Sequence, residues 1–236
     1  MTFTVIGHCP RTHQIGVGIA TYSLAVGGYC PWGEGGLGVL STQANVNPSL
    51  GPVALDALRG GAATQAVMDG LRAADPDFEY RQVGIVSHTG DVCVHTGERT
   101  RDWKGHLVGA GFLVMGNVLA GVSVLEAMAS AFDGAVDEAL EERLLRALEA
   151  GRDTGGQANK DGARLSERSA GLCVYESERH PILDLRVDMH THAVDELRRV
   201  HALYQPYVPY YALRHREPAN APPQDAWAQR IKERGG

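Results

Sequence analysis

Aromatic side chains are scarce in this chain, at 6% of its 236 residues. Lysine is scarcer: Lys104, Lys160 and Lys232 are the whole set, and none lies in the first hundred residues. A mechanism assisted by a lysine side chain therefore has few possible actors. Only four cysteines occur, Cys9, Cys30, Cys93 and Cys173, with no C-x-x-C pair among them. The chain is also far longer than a disulfide-stapled mini-domain, so these read as free, mostly buried thiols of a cytoplasmic protein. No run approaches the roughly 18 apolar residues of a transmembrane helix. No basic segment leads into an apolar one at the start, as a secretory signal would require. Twenty-two Lys and Arg against 28 Asp and Glu leave a formal charge of −6, which argues against nucleic acid as the partner. The histidines are scattered. The pairs His190/His192 and His8/His13 lack a compelling metal-ligand spacing, so neither a metal nor another cofactor is expected.

What is abundant is glycine, with 29 residues. Phe3, Val5 and Gly7 alternate with Thr2, Thr4 and Ile6, and Ile15, Val17 and Ile19 alternate with Gly16, Gly18 and Ala20. A turn around residues 10–13 joins these two runs into an expected hairpin. The small residues leave one sheet face nearly flat, which admits another layer at close range. Another strand is expected over residues 37–43. The period then becomes helical: residues 50–58, stopped by Gly60-Gly61, and residues 64–74. Strands are expected at 82–87, 92–96, 107–110 and 112–115, then helices at 122–132 and 140–150. A polar loop at 151–168 precedes strands at 170–176 and 182–187 and a helix at 194–203. Beyond Gln205, five prolines suggest an extended arm with a short helix near Trp227. Helices that arrive in pairs between antiparallel strands do not suit alternating βαβ units. They predict an α+β four-layer αββα sandwich with antiparallel sheets over residues 1–204, and a proline-rich extension over 205–236.

Chemistry is possible at several points. If Met1 is removed, as is usual before a small residue, Thr2 carries a nucleophilic hydroxyl and a free α-amine on one residue. Such an amine titrates near 7.7–8.0 and can accept the hydroxyl proton. If Met1 stays, Thr2 is an ordinary strand residue. Gly33, Gly35 and Gly38 formally match G-x-G-x-x-G, but a strand follows them where the dinucleotide motif needs a helix. A tight loop is the better account. Gln43, Asn45 and Asn47 crowd the handover from strand to helix, and Gly116-Asn117 sits at another strand end. Two readings stand for these amides: donors to an oxyanion or substrate, or turn and capping chemistry.

Several separate motifs carry a resemblance: Thr2-Phe3-Thr4-Val5-Ile6, Ser41-Thr42-Gln43-Ala44 with Asn47-Pro48, Arg81-Gln82-Val83-Gly84, Trp103 with Gly105-His106, Gly116-Asn117 and Asp184-Leu185-Arg186-Val187-Asp188. Together they resemble the bacterial family known as domain of unknown function 1028, grouped with the N-terminal nucleophile (Ntn) hydrolases. The resemblance runs from Thr2 to about Leu203. It implies the same αββα sandwich and hydrolysis of a small polar amide with Thr2 as nucleophile. Gln43, Asn45 and Asn117 become candidates for oxyanion or substrate contacts, with Ser23 and His106 beside them. The lysine of the wider superfamily has no evident counterpart, and Gly155-Gly156-Gln157 stands where the family often has Gly-Gly-Asp. A non-catalytic ligand-binding or assembly module on the same scaffold is the alternative. The aromatics Tyr204, Tyr207, Tyr210, Tyr211 and Trp227 either anchor a homodimer or cover their own domain.

Overall fold

The computed structural model describes residues 1–235. The chain divides into two units, Met1–Leu197 and the segment from Arg198 onward.

The first unit begins with the hairpin of β1 (Thr2–Cys9) and β2 (Gln14–Thr21), registered so that Cys9 opposes Gln14 and Thr2 opposes Thr21. It continues through β3 (Pro31–Glu34), β4 (Gly38–Ala44), α1 (Leu50–Arg59), α2 (Thr64–Ala74), β5 (Arg81–Ser87) and β6 (Val92–Thr96). Then come β7 (Lys104–Gly109), β8 (Phe112–Asn117), α3 (Val122–Asp133) and α4 (Leu140–Asp153). The short ribbon of β9 (Gln157–Ala158) and β10 (Arg164–Leu165) leads to β11 (Ser169–Tyr175), β12 (Leu183–Val187) and α5 (Ala193–Tyr204), within which the first unit ends.

Two antiparallel sheets form, one ordered β12-β11-β2-β1-β8-β7 and the other β3-β4-β5-β6. They face each other through Ile6, Ile15, Val17, Leu113 and Met115 on one side and Val39 and Val86 on the other. Helices α1 and α2 cover the smaller sheet, where Leu50, Ala54, Leu58, Val67 and Leu71 pack with Leu40 and Ile85. Helix α4 covers the larger sheet over the flat face of β2. A Cβ on Gly16 would lie 2.8 Å from Leu144 Cδ1, and one on Gly18 would lie 3.3 Å from Leu148 Cδ1. Glycine is therefore what brings α4 down onto the strand. The outcome is the four-layer αββα sandwich.

Three local expectations need correction. Residues 31–34 are an edge strand paired with β4, where a loop was expected. Pro31 is tolerated because it opens an edge strand. The 151–168 loop is shorter than its composition suggests, since α4 runs to Asp153 and the two-strand ribbon folds the rest back. From Gln205 to Arg216 the chain is helical, through α6 (Val208–Arg216), and is not an extended arm; the helix expected near Trp227 is α7 (Gln224–Gly235). Pro209 sits in the first turn of α6, where its missing N–H costs no helical bond.

In the second unit the aromatics pack on one another. Tyr210 is buried, stacks 5.2 Å from Trp227 and donates its hydroxyl to Pro222 O at 3.0 Å. Tyr204 and Tyr207 lie 5.5 and 6.0 Å from Tyr211. Among the described residues, no helix is long and apolar enough to cross a membrane.

Candidate active site

Alternation along β1 sends Thr2, Thr4 and Ile6 between the sheets and Phe3, Val5 and Gly7 toward the helices. Ile6 lies in the apolar part of the intersheet layer. At Thr4 that layer turns polar. Thr4 donates its hydroxyl to Gln43 Oε1 at 2.5 Å, and Gln43 donates its amide to Gln82 Oε1 at 2.8 Å. Asn117 also donates to Gln82 Oε1, at 3.1 Å. Gln82 Nε2 in turn lies 3.0 Å from the carbonyls of Gly105 and Gly116 and 2.9 Å from Thr96 Oγ1. Thr4, Gln43, Gln82 and Asn117 are all fully or almost fully buried. A satisfied buried network of this kind fixes its members in one geometry, whereas a single missing partner would be expensive.

Thr2 sits one pleat beyond that network and is itself buried. Its Oγ1 lies 3.2 Å from Thr21 Oγ1, directly across the hairpin. Thr21 also donates to the Met1 carbonyl and accepts from Ser23 N at 3.2 Å. On the other flank Thr2 opposes Asn117 of β8. A cavity of about 200 Å³ opens here, lined by Met1, Ser23, Asn45 and Asn117 together with Tyr80, Arg99 and Arg101.

The backbone around this cavity is strained. Among the described non-glycine residues, four have positive φ, and three of them flank it: Ala44 at 72°, Val118 at 57° and Ala25 at 54°. Ala44 ends β4 beside Asn45, Val118 follows Asn117, and Ala25 stands two residues after Ser23. A β-branched residue in this region is a genuine outlier. Neighbouring chain holds Val118 there: its N–H donates to Arg101 O at 3.3 Å, and its carbonyl accepts from Ala158 N at 3.0 Å. Strain of this sort, which costs about 1–3 kcal/mol per residue, concentrates at functional sites.

The electrostatics favour a neutral amine. Burial, with the positive charge of Arg101 adding to it, lowers the α-amine of Met1 from 8.0 to about 6. The adjacent Cys30 thiol is pushed up to about 12 by burial, so it stays protonated and is no nucleophile at neutral pH.

The sequence-derived candidates therefore fall into three places. Ser23, Asn45 and Asn117 line the cavity together with Met1, while Thr2 is buried next to Met1 and does not itself line it. Gln43 lies behind it, with both ends of its amide engaged inside the core. Gln43 thus holds the framework and does not line the cavity. His106 is not brought to the cavity either: it is exposed on β7 and hydrogen-bonded through Nδ1 to Thr96 Oγ1 at 2.9 Å.

Three contributors escaped the sequence reading. Thr21 was legible in the hairpin itself, because a turn at residues 10–13 makes partner numbers sum to 23. Gln82 carried a weaker signal, as a lone amide in the apolar run Val83-Gly84-Ile85-Val86. Arg101, on the connection before β7, carried none.

A family model described as a family of unknown function (DUF1028) matches residues 2–197. A crystal structure of a protein of that family model from Silicibacter pomeroyi is 30% identical, with a TM-score of 0.77 over 86% of this chain and 89% of that one. Eukaryotic HslV from Trypanosoma brucei is 11% identical, with a TM-score of 0.44 over 75% of this chain and 99% of its own. Anbu (ancestral beta-subunit) from Yersinia bercovieri is 12% identical, with a TM-score of 0.40 over 89% and 96%. No curated protein sequence matches the chain. The chain belongs to the DUF1028 family.

Proposed function

We propose that this member of the DUF1028 family is an amidohydrolase that uses Thr2, freed of Met1, as an N-terminal nucleophile on a small polar amide. The observation that supports this reading most is the placement of Thr2. It is the first residue of a core strand, joined to Met1 and paired with Asn117, both of which line a polar cavity, and its hydroxyl meets Thr21 at 3.2 Å. A nucleophile there is held by strand pairing on both flanks, which is the preorganisation that catalysis needs.

With Met1 gone, the backbone nitrogen of Thr2 becomes the α-amine. Thr2 Oγ1 attacks the amide carbonyl while that amine takes the hydroxyl proton. The carbonyl oxygen becomes an oxyanion. Asn117 Nδ2 spends one proton on Gln82 and has a second to offer toward the cavity. Collapse breaks the C–N bond, and the α-ammonium returns its proton to the departing nitrogen. An ester on Thr2 remains. Water, deprotonated by the same amine, attacks that ester, and cleavage of the C–O bond releases a carboxylic acid and restores the Thr2 hydroxyl. An ordinary α-amine titrates near 7.7–8.0, so a share of it is neutral and able to act as base at working pH.

The seat of Met1 favours a second reading, because Thr21 holds the Met1 carbonyl by a hydrogen bond. If Met1 stays there, the cavity is a ligand-binding site without an N-terminal nucleophile. Intact-mass analysis of protein from its native source separates the two, together with turnover of an amide panel by wild type and Thr2→Ala. The hydrolase reading expects loss of Met1 and a silent variant. Retained Met1, or turnover unchanged in Thr2→Ala, would overturn it.

A further inference from the structure

We infer that the cavity over Thr2 selects small amides that also bear a carboxylate, with Arg101 as the anion-binding residue and Arg99 reinforcing its field. This rests on reading the cavity as the substrate site and adds to that reading the chemistry of what enters. The chain carries a formal charge of −6, yet the cavity lining includes two arginines and no Asp or Glu.

Neither guanidinium has a carboxylate partner among the described residues. Arg99 donates to the Tyr80 hydroxyl at 3.2 Å and lies 5.3 Å from that ring's centroid. Arg101 is exposed, and what ties it to the fold is its backbone carbonyl. Several other arginines meet a carboxylate: Arg59 meets Glu34, Arg81 meets Asp75, Arg146 meets Glu138 and Arg186 meets Asp184, while Arg143 and Arg168 are instead held by backbone carbonyls and aromatic rings. An unmatched guanidinium fork beside a concave site is suited to a carboxylate, which it can grip with two parallel bonds. Two such charges in one cleft, with no acid among the lining residues, also focus the field on an approaching anion.

The remaining lining groups point to the same ligand. Ser23, Asn45 and Asn117 supply neutral donors and acceptors for an amide, while Arg101 supplies the charge for a carboxylate. The volume, about 200 Å³, is below the roughly 300–1,000 Å³ of sites for drug-sized ligands. The ligand is accordingly small. The field of Arg101 also reaches the reacting end of the cavity, where it helps to lower the Met1 amine.

The test separates binding from turnover by using Thr2→Ala protein, which under the hydrolase reading binds substrate without consuming it. N-acetylglycine and its neutral counterpart N-acetylglycinamide are titrated by calorimetry at low and high salt. N-acetylglycine should bind about ten-fold tighter or better, and salt should erode the difference. Arg101→Gln should abolish the preference, and Arg101→Lys should restore part of it. Equal affinities, no binding of either compound, or a preference intact in Arg101→Gln would overturn the proposal. If the preference holds but wild type turns over no amide, the hydrolase reading fails and the anion site stands.

Discussion

Two cavities in the first unit contain arginine, and their difference shows what marks a site. One lies over Thr2; the other, of about 380 Å³, lies between the end of α4, the 164–167 segment and the start of α5. The second is larger, but its two arginines stand among three acids, Asp153, Glu167 and Asp195. Arg152 is bonded to Asp153 at 2.7 Å and to Asp195, and Arg164 lies 3.8 Å from Glu167. Burial pushes the Glu167 carboxyl up, while the hydrogen bond from Arg152 holds Asp153 down. Each arginine there thus has an acid beside it, although the buried Glu167 Oε1 has no hydrogen-bond partner among the described residues. In the smaller cavity the arginines have no such partners among the described residues, the backbone is strained on three flanks, and the Thr2 hydroxyl is buried beside the lining residue Met1. Size does not set the smaller cavity apart, whereas unmatched charge and backbone strain do.

The comparison breaks most sharply at Thr2. Thr2→Ala should lower amide turnover by about 10³-fold or more, as loss of a nucleophile does, with the fold intact by circular dichroism. Retained turnover would leave the smaller cavity no better qualified than the larger one.

The polar base of the smaller cavity can be removed next. Gln82→Leu strands donors from both Gln43 and Asn117 in the core. It should cost about 2–4 kcal/mol of unfolding free energy in urea titrations. A loss below about 0.5 kcal/mol would show that the network is not what holds Asn117.

Strain is open to a milder probe. Ala44→Gly keeps the positive φ without the Cβ clash and should raise stability by about 1 kcal/mol, while loosening Asn45 and raising KM. A fall in stability would show that Ala44 is unstrained.

The fourth prediction concerns pH. An amine that burial and Arg101 hold below 8.0 is neutral in the folded protein at a pH where the unfolded chain still binds a proton. In Met1-bearing protein, stability from this group should therefore fall as pH drops from about 8 through about 6. Arg101→Gln should move the amine's midpoint upward, toward its ordinary value, as read by pH-dependent acylation with an amine-selective reagent. A midpoint that stays put would remove Arg101 from the field acting on the terminus. The smallest effect is expected in the larger cavity, where Arg152→Gln should change turnover less than two-fold; a larger loss would make that cavity part of the active site.

Much of the architecture was legible because it is written in short periods. The alternation at 2–7 and 15–20 set the hairpin, and with it the facing of Thr2 toward the intersheet space. The helical spacing at 50–58, 64–74, 122–132 and 140–150 marked the outer layers. Errors fell where local signals mislead: prolines near 206–223 read as an arm because Pro209 in a helix's first turn looks like any other proline. Gln43 appeared as a possible site donor because strand alternation tells which face a side chain takes, not what waits there.

From sequence alone, then, came the four layers, the strand that begins at Thr2 and the hairpin it forms with the next strand. These depend on neighbours a few residues apart or on one tight turn, and so on local sterics and periodicity. The tertiary structure alone decided that Asn117, Asn45 and Arg101 converge near that strand end, that Gln82 clamps Asn117, and that Arg101 meets no acid among the described residues. Those facts arise from the stacking of two sheets and the path of separate connections, and no short-range pattern encodes the distance between groups brought together by them.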